Sequence, residues 1–106
     1  AGGTPEQSAH AFSTALQNLL GLVCDPVAGL VEIPCVKRNA VGAANALVAA
    51  DLALAGVNNL IDADEVIDAM YRVGRQMPRE LRETGLGGVA ETPTGIAIRN
   101  KILRKK

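Results

Sequence analysis

Residues 35–55, CVKRNAVGAANALVAADLALA, decide the fold class, because they form the longest helical pattern of the chain. Pro34 or Cys35 can open this helix and Gly56 can close it, since proline suits a first helical turn and glycine suits a helix end. Apolar residues cover most of the helix circumference, which is typical of a buried helix. The pattern therefore predicts a central, buried, Ala-rich helix. Its apolar positions are Val36, Ala40, Val41, Ala43, Ala44, Leu47, Val48 and Leu52.

A Thr-Pro pair marks the start of two further helices. Threonine can cap a helix, and proline fits the first helical position because its missing N–H costs nothing there. Thr4-Pro5-Glu6-Gln7 has the pattern of a capping box and predicts a helix at about residues 5–20. Thr92-Pro93 predicts a last, short helix at about residues 93–104.

The remaining helix is predicted to follow a second capping box, with Asp62 as the cap and Glu65 three positions later. Pro78 should end or kink this helix, with a short continuation at residues 81–83. No segment alternates between polar and apolar residues over several positions. The sequence therefore predicts an all-α fold, a small bundle of about four helices around the Ala-rich helix.

Residues 21–34 are apolar but are interrupted by Gly21, Pro26, Gly29 and Pro34. The segment matches neither a regular helix nor a regular strand. An apolar segment without regular structure usually packs into the wall of a site, where its backbone polar groups need partners. We expect this segment to line the functional site.

The composition excludes several classes of protein. Eleven basic and eleven acidic side chains give a formal net charge of zero, which provides no general attraction to nucleic acid or to an anionic membrane. Phe12 and Tyr71 are the only aromatic residues, which argues against modules that stack bases. Asn45 and Asp51 interrupt the longest apolar stretch, so a membrane-spanning helix is not expected.

The chain has 106 residues, starts at Ala1 and shows no signal peptide. From this start we expect a fragment of a larger domain or a processed product. If so, some of its faces should be apolar and uncovered.

Cys24 and Cys35 allow three interpretations. They can be buried structural cysteines in a non-catalytic helical interaction module, they can form a disulfide in a redox module, or they can be metal or cluster ligands. Cys24 lies in the Gly/Pro-rich segment, where side chains can converge. Cys35 lies at a helix N-terminus, which favours the thiolate that binds metals. The spacing alone does not choose among these interpretations.

Residues beside the cysteines are secondary candidates. Asp25 can contact substrate or support the ligands, although an Asx turn ahead of Pro26 is the preferred interpretation. Arg38 and Asn39 can bind a substrate carboxylate or support a cluster. His10, the only histidine, is predicted to be a solvated surface residue, and no catalytic base is identified. The Gly-rich loop at residues 85–88 is predicted to be a flexible turn and not a phosphate site.

The segment from Gln17 to Ala40 resembles the iron–sulfur-dependent L-serine dehydratases, in particular the α chain of the bacterial two-subunit form. Its core is the double-cysteine motif Cys-Asp-Pro-Val-x-Gly-Leu-x-x-x-Pro-Cys, from Cys24 to Cys35. The resemblance continues through the Ala-rich helix and through residues 64–70 and 81–88. It covers essentially the whole chain, which would be the C-terminal portion of the α catalytic domain.

The resemblance implies an all-α catalytic domain that holds a [4Fe–4S] cluster on three cysteines. Cys24 and Cys35 match the last two of these, and the first lies upstream in a motif that this chain lacks. One iron would then have no protein thiolate and could act as a Lewis acid. No pyridoxal phosphate is implied, and the 106 residues alone are expected to be inactive.

The implied reaction is the deamination of L-serine to pyruvate and ammonia, in amino-acid degradation and gluconeogenesis. The implied partners are the rest of the α catalytic domain, a β regulatory subunit or domain, and other copies in a homo-oligomer. No nucleic acid or membrane partner is implied, and the implied location is the cytoplasm.

Overall fold

The computed structural model describes residues 2–104, and over this range the chain is all-α, as predicted. The helices are α1 (Pro5–Asn18), α2 (Cys35–Leu54), α3 (Ala63–Gln76) and α4 (Pro93–Arg104). Short 3-10 turns occupy Val27–Gly29, Arg79–Leu81 and Gly88–Glu91. No strand forms between residues 2 and 104, although one isolated parallel bridge joins Cys24 to Arg82.

The helices belong to two compact units. The first, called here the helical unit, contains the residues up to Gly21 and Ala40–Arg75. The second, called here the cysteine unit, contains Leu22–Asn39 and the residues from Gln76 onward. Helix α2 contributes its first turn, with Cys35, to the cysteine unit and its remaining turns to the helical unit.

The helices begin at the caps that the sequence predicted. The Thr4 hydroxyl accepts a hydrogen bond from the Gln7 amide at 3.1 Å, and the Gln7 side chain accepts one from the Thr4 amide at 2.8 Å. The Asp62 carboxylate accepts from the Glu65 amide at 2.9 Å, and Thr92 caps α4 in the same way. These bonds satisfy amides that the first helical turn leaves unpaired.

Within the helical unit, one face of α2 packs inward. Asn45 donates to the carbonyl of Ala15 and accepts from Asn18, both at 2.9 Å, which attaches α2 to α1. Ala49 and Ala53 are buried on this face.

The prediction that α2 is buried nearly all round is wrong for this chain. Val41 is 56% exposed, Leu47 is 71% exposed and Val48 is 52% exposed. The reason is that no element among the described residues of the helical unit covers this face. The exposure agrees with the expectation that some apolar faces stay uncovered. No helix within residues 2–104 is at once long and apolar enough to cross a bilayer.

The packing of α4 can be tested with two helical glycines, Gly95 and Gly42, that have different surroundings. A Cβ at Gly95 would lie 2.5 Å from the Val89 carbonyl oxygen, whereas a Cβ at Gly42 in α2 would meet nothing within 4 Å. We expect Gly95→Ala to lower the free energy of unfolding by about 1–3 kcal/mol through overpacking. Gly42→Ala should raise it by about 0.5–1 kcal/mol, because alanine restricts the unfolded chain. Urea unfolding followed by circular dichroism measures both, and the same sign for both variants would contradict the packing.

Candidate functional site

The main chain of Cys24 is held on both sides within the cysteine unit. Its N–H donates to the carbonyl of Leu81 at 2.9 Å, and its carbonyl accepts from the amide of Glu83 at 2.8 Å. The irregular segment that carries Cys24 also bonds to itself, because the Val27 amide donates to the carbonyl of Ile33 at 2.8 Å. The segment is irregular, as predicted, and it presents its cysteine from a fixed backbone.

Both cysteines are free thiols in the structure, and they lie in the same unit. Cys24 is exposed, and Cys35 is half-buried in the first turn of α2. The exposure of Cys24 contradicts the alternative in which both cysteines act as buried small hydrophobes. A disulfide between them is not the state that the structure records.

Asp25 is a buried carboxylate with long-range partners. It is 2% exposed and forms an ion pair with Arg38. Its second oxygen, Oδ2, accepts from the amide of Val89 at 2.6 Å. The predicted Asx turn is wrong, because the Val27 amide that would close it donates to Ile33 instead. A buried carboxylate needs charge and hydrogen-bond partners, and the tertiary structure supplies both.

Arg38 holds the residues on both sides of Cys24. Its Nη1 donates to the carbonyl of Val23 at 2.9 Å and to Oδ1 of Asp25. Arg38 lies on the first turn of α2, three residues after Cys35. We call these two bonds the Arg38 clamp. The clamp connects the segment around one thiol to the helix that carries the other.

The Gly-rich loop bends, as predicted, and it packs against the Cys24 segment, a contact that the sequence did not predict. A Cβ at Gly85 would lie 3.1 Å from the carbonyl oxygen of Pro26. A Cβ at Gly88 would fall on the carboxylate of Asp25. Glycine is therefore needed at Gly88 because the main chain approaches a side chain too closely for any larger residue. Helix α4 packs in turn against the 3-10 turns at Val27–Gly29 and Gly88–Glu91.

The surroundings of Cys24 favour its protonated form. Partial burial raises the pKa of the Cys24 thiol, and the negative charges of Glu83 and Asp25 raise it further. The Arg38 guanidinium opposes this shift of the pKa. A thiophilic cation that bound the Cys24 sulfur would displace its proton, so the affinity for such a cation should increase with pH.

The two remaining candidates are His10 and Asn39. His10 is half-buried in the helical unit, and its Nδ1 accepts from the amide of Asn59 at 3.0 Å, so the prediction of a solvated surface residue is wrong. Asn39 is exposed on the first turn of α2, beside Arg38. Glu83, Gly88 and Val89 also lie at the site, although no motif in the sequence predicted them there. The clustered glycines were the only local signal for them.

The two free cysteines are the strongest candidate donors of the cysteine unit. In their deprotonated form, cysteines are the side chains that commonly hold iron–sulfur clusters. Within residues 2–104, no three His, Cys, Asp or Glu side chains gather closely enough to hold a metal ion. A cleft in the helical unit contains no thiol or charged side chain. Its lining residues are Gly3, Gln7, Ser8, Ala11, Ala50, Ala53 and Leu54. The cysteines therefore define the candidate site.

Comparisons with known proteins place the chain in a family. The serine dehydratase alpha chain family matches residues 1–90. The chain is 68% identical to a probable L-serine dehydratase alpha chain of Bacillus subtilis, over 96% of this chain and 34% of that protein. It is 65% identical to the Latilactobacillus sakei protein of the same description, over 96% of this chain and 49% of that protein.

A third relative is the L-serine dehydratase alpha chain of Peptoniphilus asaccharolyticus, with 57% identity over 98% of this chain and 36% of that protein. No solved structure gives a significant match. The chain spans about a third to a half of the length of these relatives. The family match covers most of the chain, including both cysteines, and the chain belongs to the serine dehydratase alpha chain family.

Proposed function

We propose that this chain is the part of an L-serine dehydratase α chain that provides two thiolate ligands, Cys24 and Cys35, to a [4Fe–4S] cluster. The parent enzyme deaminates L-serine to pyruvate and ammonia. A third cysteine ligand comes from outside this chain. The observation that carries the proposal is the pair of free thiols in one unit, with Cys24 exposed on a backbone that is bonded on both sides.

The proposed reaction is supported by the family, since relatives at 57–68% identity are named L-serine dehydratase alpha chains. The proposed cofactor is supported by the two cysteines, because soft thiolates are the protein ligands that iron–sulfur clusters use. When bound, the cluster supplies a Lewis-acid iron for the carboxylate and hydroxyl of the substrate. No lysine is assigned to pyridoxal phosphate in this scheme.

The residues of this chain have separate roles. Cys24 and Cys35 lose their protons and hold iron. Asp25 and Arg38 support the ligand segment through the Arg38 clamp. Asn39, exposed on the same turn of α2, is proposed to contact the substrate. His10 is not assigned as the base, because its Nδ1 accepts a backbone hydrogen bond from Asn59.

The proposed partners follow from the same assignment. The rest of the α catalytic domain covers the exposed apolar face of α2 formed by Val41, Leu47 and Val48. A β regulatory subunit or domain, other copies of the enzyme and L-serine complete the assembly. The enzyme is proposed to act in the cytoplasm, in amino-acid degradation that feeds gluconeogenesis.

Serine substitutions test the ligand assignment in a full-length α chain that contains this segment. After anaerobic reconstitution with iron and sulfide, Cys24→Ser and Cys35→Ser should each lose most of the bound iron and the visible cluster absorption, since a hydroxyl is a poor ligand for this metal. Lys37→Ser is a matched control, because Lys37 is exposed two positions after Cys35 and is not among the proposed ligands. It should retain both signals. Full iron content in either cysteine variant would contradict the assignment.

The 106-residue chain provides a second control for the same proposal. Alone, it is expected to be inactive and to form no complete [4Fe–4S] cluster, because it has two cysteines. The same reconstitution and the molecular mass of the product measure this. A four-iron spectrum from a monomer of the chain would overturn the assignment.

A further inference from the structure

The Arg38 clamp makes one contact more than charge neutralisation requires. The ion pair with Arg38 and the hydrogen bond from the Val89 amide together compensate the buried Asp25 carboxylate. The second bond, from Nη1 to the carbonyl of Val23, compensates no charge. It instead fixes the residue that precedes Cys24, while the ion pair fixes the residue that follows it. Two contacts, one on each side of Cys24, define the position of that residue better than either contact alone.

The other end of the clamp is rigidly related to Cys35. Arg38 and Cys35 lie one turn apart on α2, where the backbone hydrogen bonds leave little freedom between them. The Arg38 amide is itself bonded to the carbonyl of Pro34 at 3.1 Å, which attaches this turn to the residue before Cys35. A displacement of the Arg38 guanidinium would therefore change the position of the Cys24 segment relative to Cys35.

We propose that Arg38 is a positioning residue that fixes the separation of the Cys24 and Cys35 thiols, an inference that rests on the proposed function. It acts through the Val23 carbonyl and the Asp25 carboxylate and does not itself bind iron. Asp25 is needed as well, because the hydrogen bond from the Val89 amide holds its carboxylate in place and so limits movement of the Arg38 guanidinium.

A thiol-bridging reagent measures this separation in the 106-residue chain without iron. Dibromobimane becomes fluorescent when both of its bromomethyl groups have alkylated thiols, each step forming a C–S bond and releasing HBr. The wild-type chain should cross-link Cys24 to Cys35 in an intramolecular reaction. The double variant Asp25→Asn/Arg38→Gln removes the clamp. Because both charges are removed together, no buried charge is left without a partner, and the fold should persist.

We expect the second, bridging alkylation to be about tenfold slower in the double variant, since small misplacements of reacting groups have large effects on rate. The rate of the first alkylation should change less than about twofold, because it does not depend on the distance between the thiols. Arg38→Lys keeps the charge on a shorter side chain and should give an intermediate rate. Arg99→Gln is the matched control. Arg99 is as exposed as Arg38, at 30%, and forms its own ion pair with Glu91 at 2.9 Å. It should leave both steps unchanged.

Helix content by circular dichroism is compared for every variant. Equal bridging rates in the wild-type chain and a folded double variant would overturn the proposal, and so would a wild-type chain that does not bridge.

Failure of this proposal can be distinguished from failure of the proposed function. Bridging that depends on Arg38 in the 106-residue chain, together with no iron uptake by the reconstituted full-length α chain, would support the clamp and contradict the cluster assignment. Iron uptake with bridging that is independent of Arg38 would do the reverse.

Discussion

Arg38→Met is expected to lower the free energy of unfolding by about 3–5 kcal/mol, because it leaves a buried carboxylate without its charged partner. Asp25 is 2% exposed, so little water reaches the carboxylate to replace the lost guanidinium. Its remaining bond, from the Val89 amide, satisfies one carboxylate oxygen. A domain of this size has about 5–15 kcal/mol of total stability, so the loss is a large share of it. Urea unfolding followed by circular dichroism measures the change.

The matched control is Arg99→Met. Arg99 pairs with Glu91, which is 40% exposed, and exposed ion pairs contribute at most about 1 kcal/mol. A second comparison is Asp25→Ala, which should cost less than Arg38→Met, because Arg38 is 30% exposed and can turn toward water. A loss for Arg38→Met no larger than that for Arg99→Met would show that the Asp25 carboxylate finds another partner or becomes hydrated.

Gly88→Ala is expected to destabilise the cysteine unit by two separate effects. Gly88 has a φ of +60°, a left-handed conformation that costs an alanine about 1–2 kcal/mol. The new Cβ would also fall on the Asp25 carboxylate, and displacing that group should add about 1–3 kcal/mol of overpacking. The displaced carboxylate would weaken its bonds to Arg38 and Val89. The free energy of unfolding should therefore fall by the sum of both effects.

Gly29→Ala and Gly56→Ala separate the two effects. Both glycines have positive φ, +71° and +87°, but a Cβ at either would meet nothing within 4 Å. These variants should lose only the backbone contribution of about 1–2 kcal/mol. If Gly88→Ala costs no more than these two variants, the close contact between residue 88 and Asp25 does not constrain the protein.

The helices could be predicted from the sequence because their signals are local. Thr4, Asp62 and Thr92 each cap a helix through an amide three residues away, so a short stretch of sequence contains the whole interaction. The long Ala-rich pattern likewise gave the bounds of α2 to within one residue. Its burial was mispredicted because periodicity shows which faces are apolar but does not show which elements are present to cover them.

The cysteine motif marked the site, but its supporting contacts could not be predicted. Asp25 bonds to Arg38 across 13 positions and to Val89 across 64. Both partners depend on how α2 and the Gly-rich loop fold onto the Cys24 segment, and no local pattern specifies that. The requirement for glycine at position 88 has the same origin, since it depends on a carboxylate distant in sequence.

The bridge between Cys24 and Arg82 also limits how the Cys24 sulfur can move. Since Leu81 and Glu83 hold the main chain of Cys24 on both sides, rotation about the Cα–Cβ bond is the principal motion left to the sulfur. That rotation has three staggered minima. An incoming electrophile or cation therefore meets a small set of discrete sulfur positions, and little conformational entropy is lost when one of them is selected.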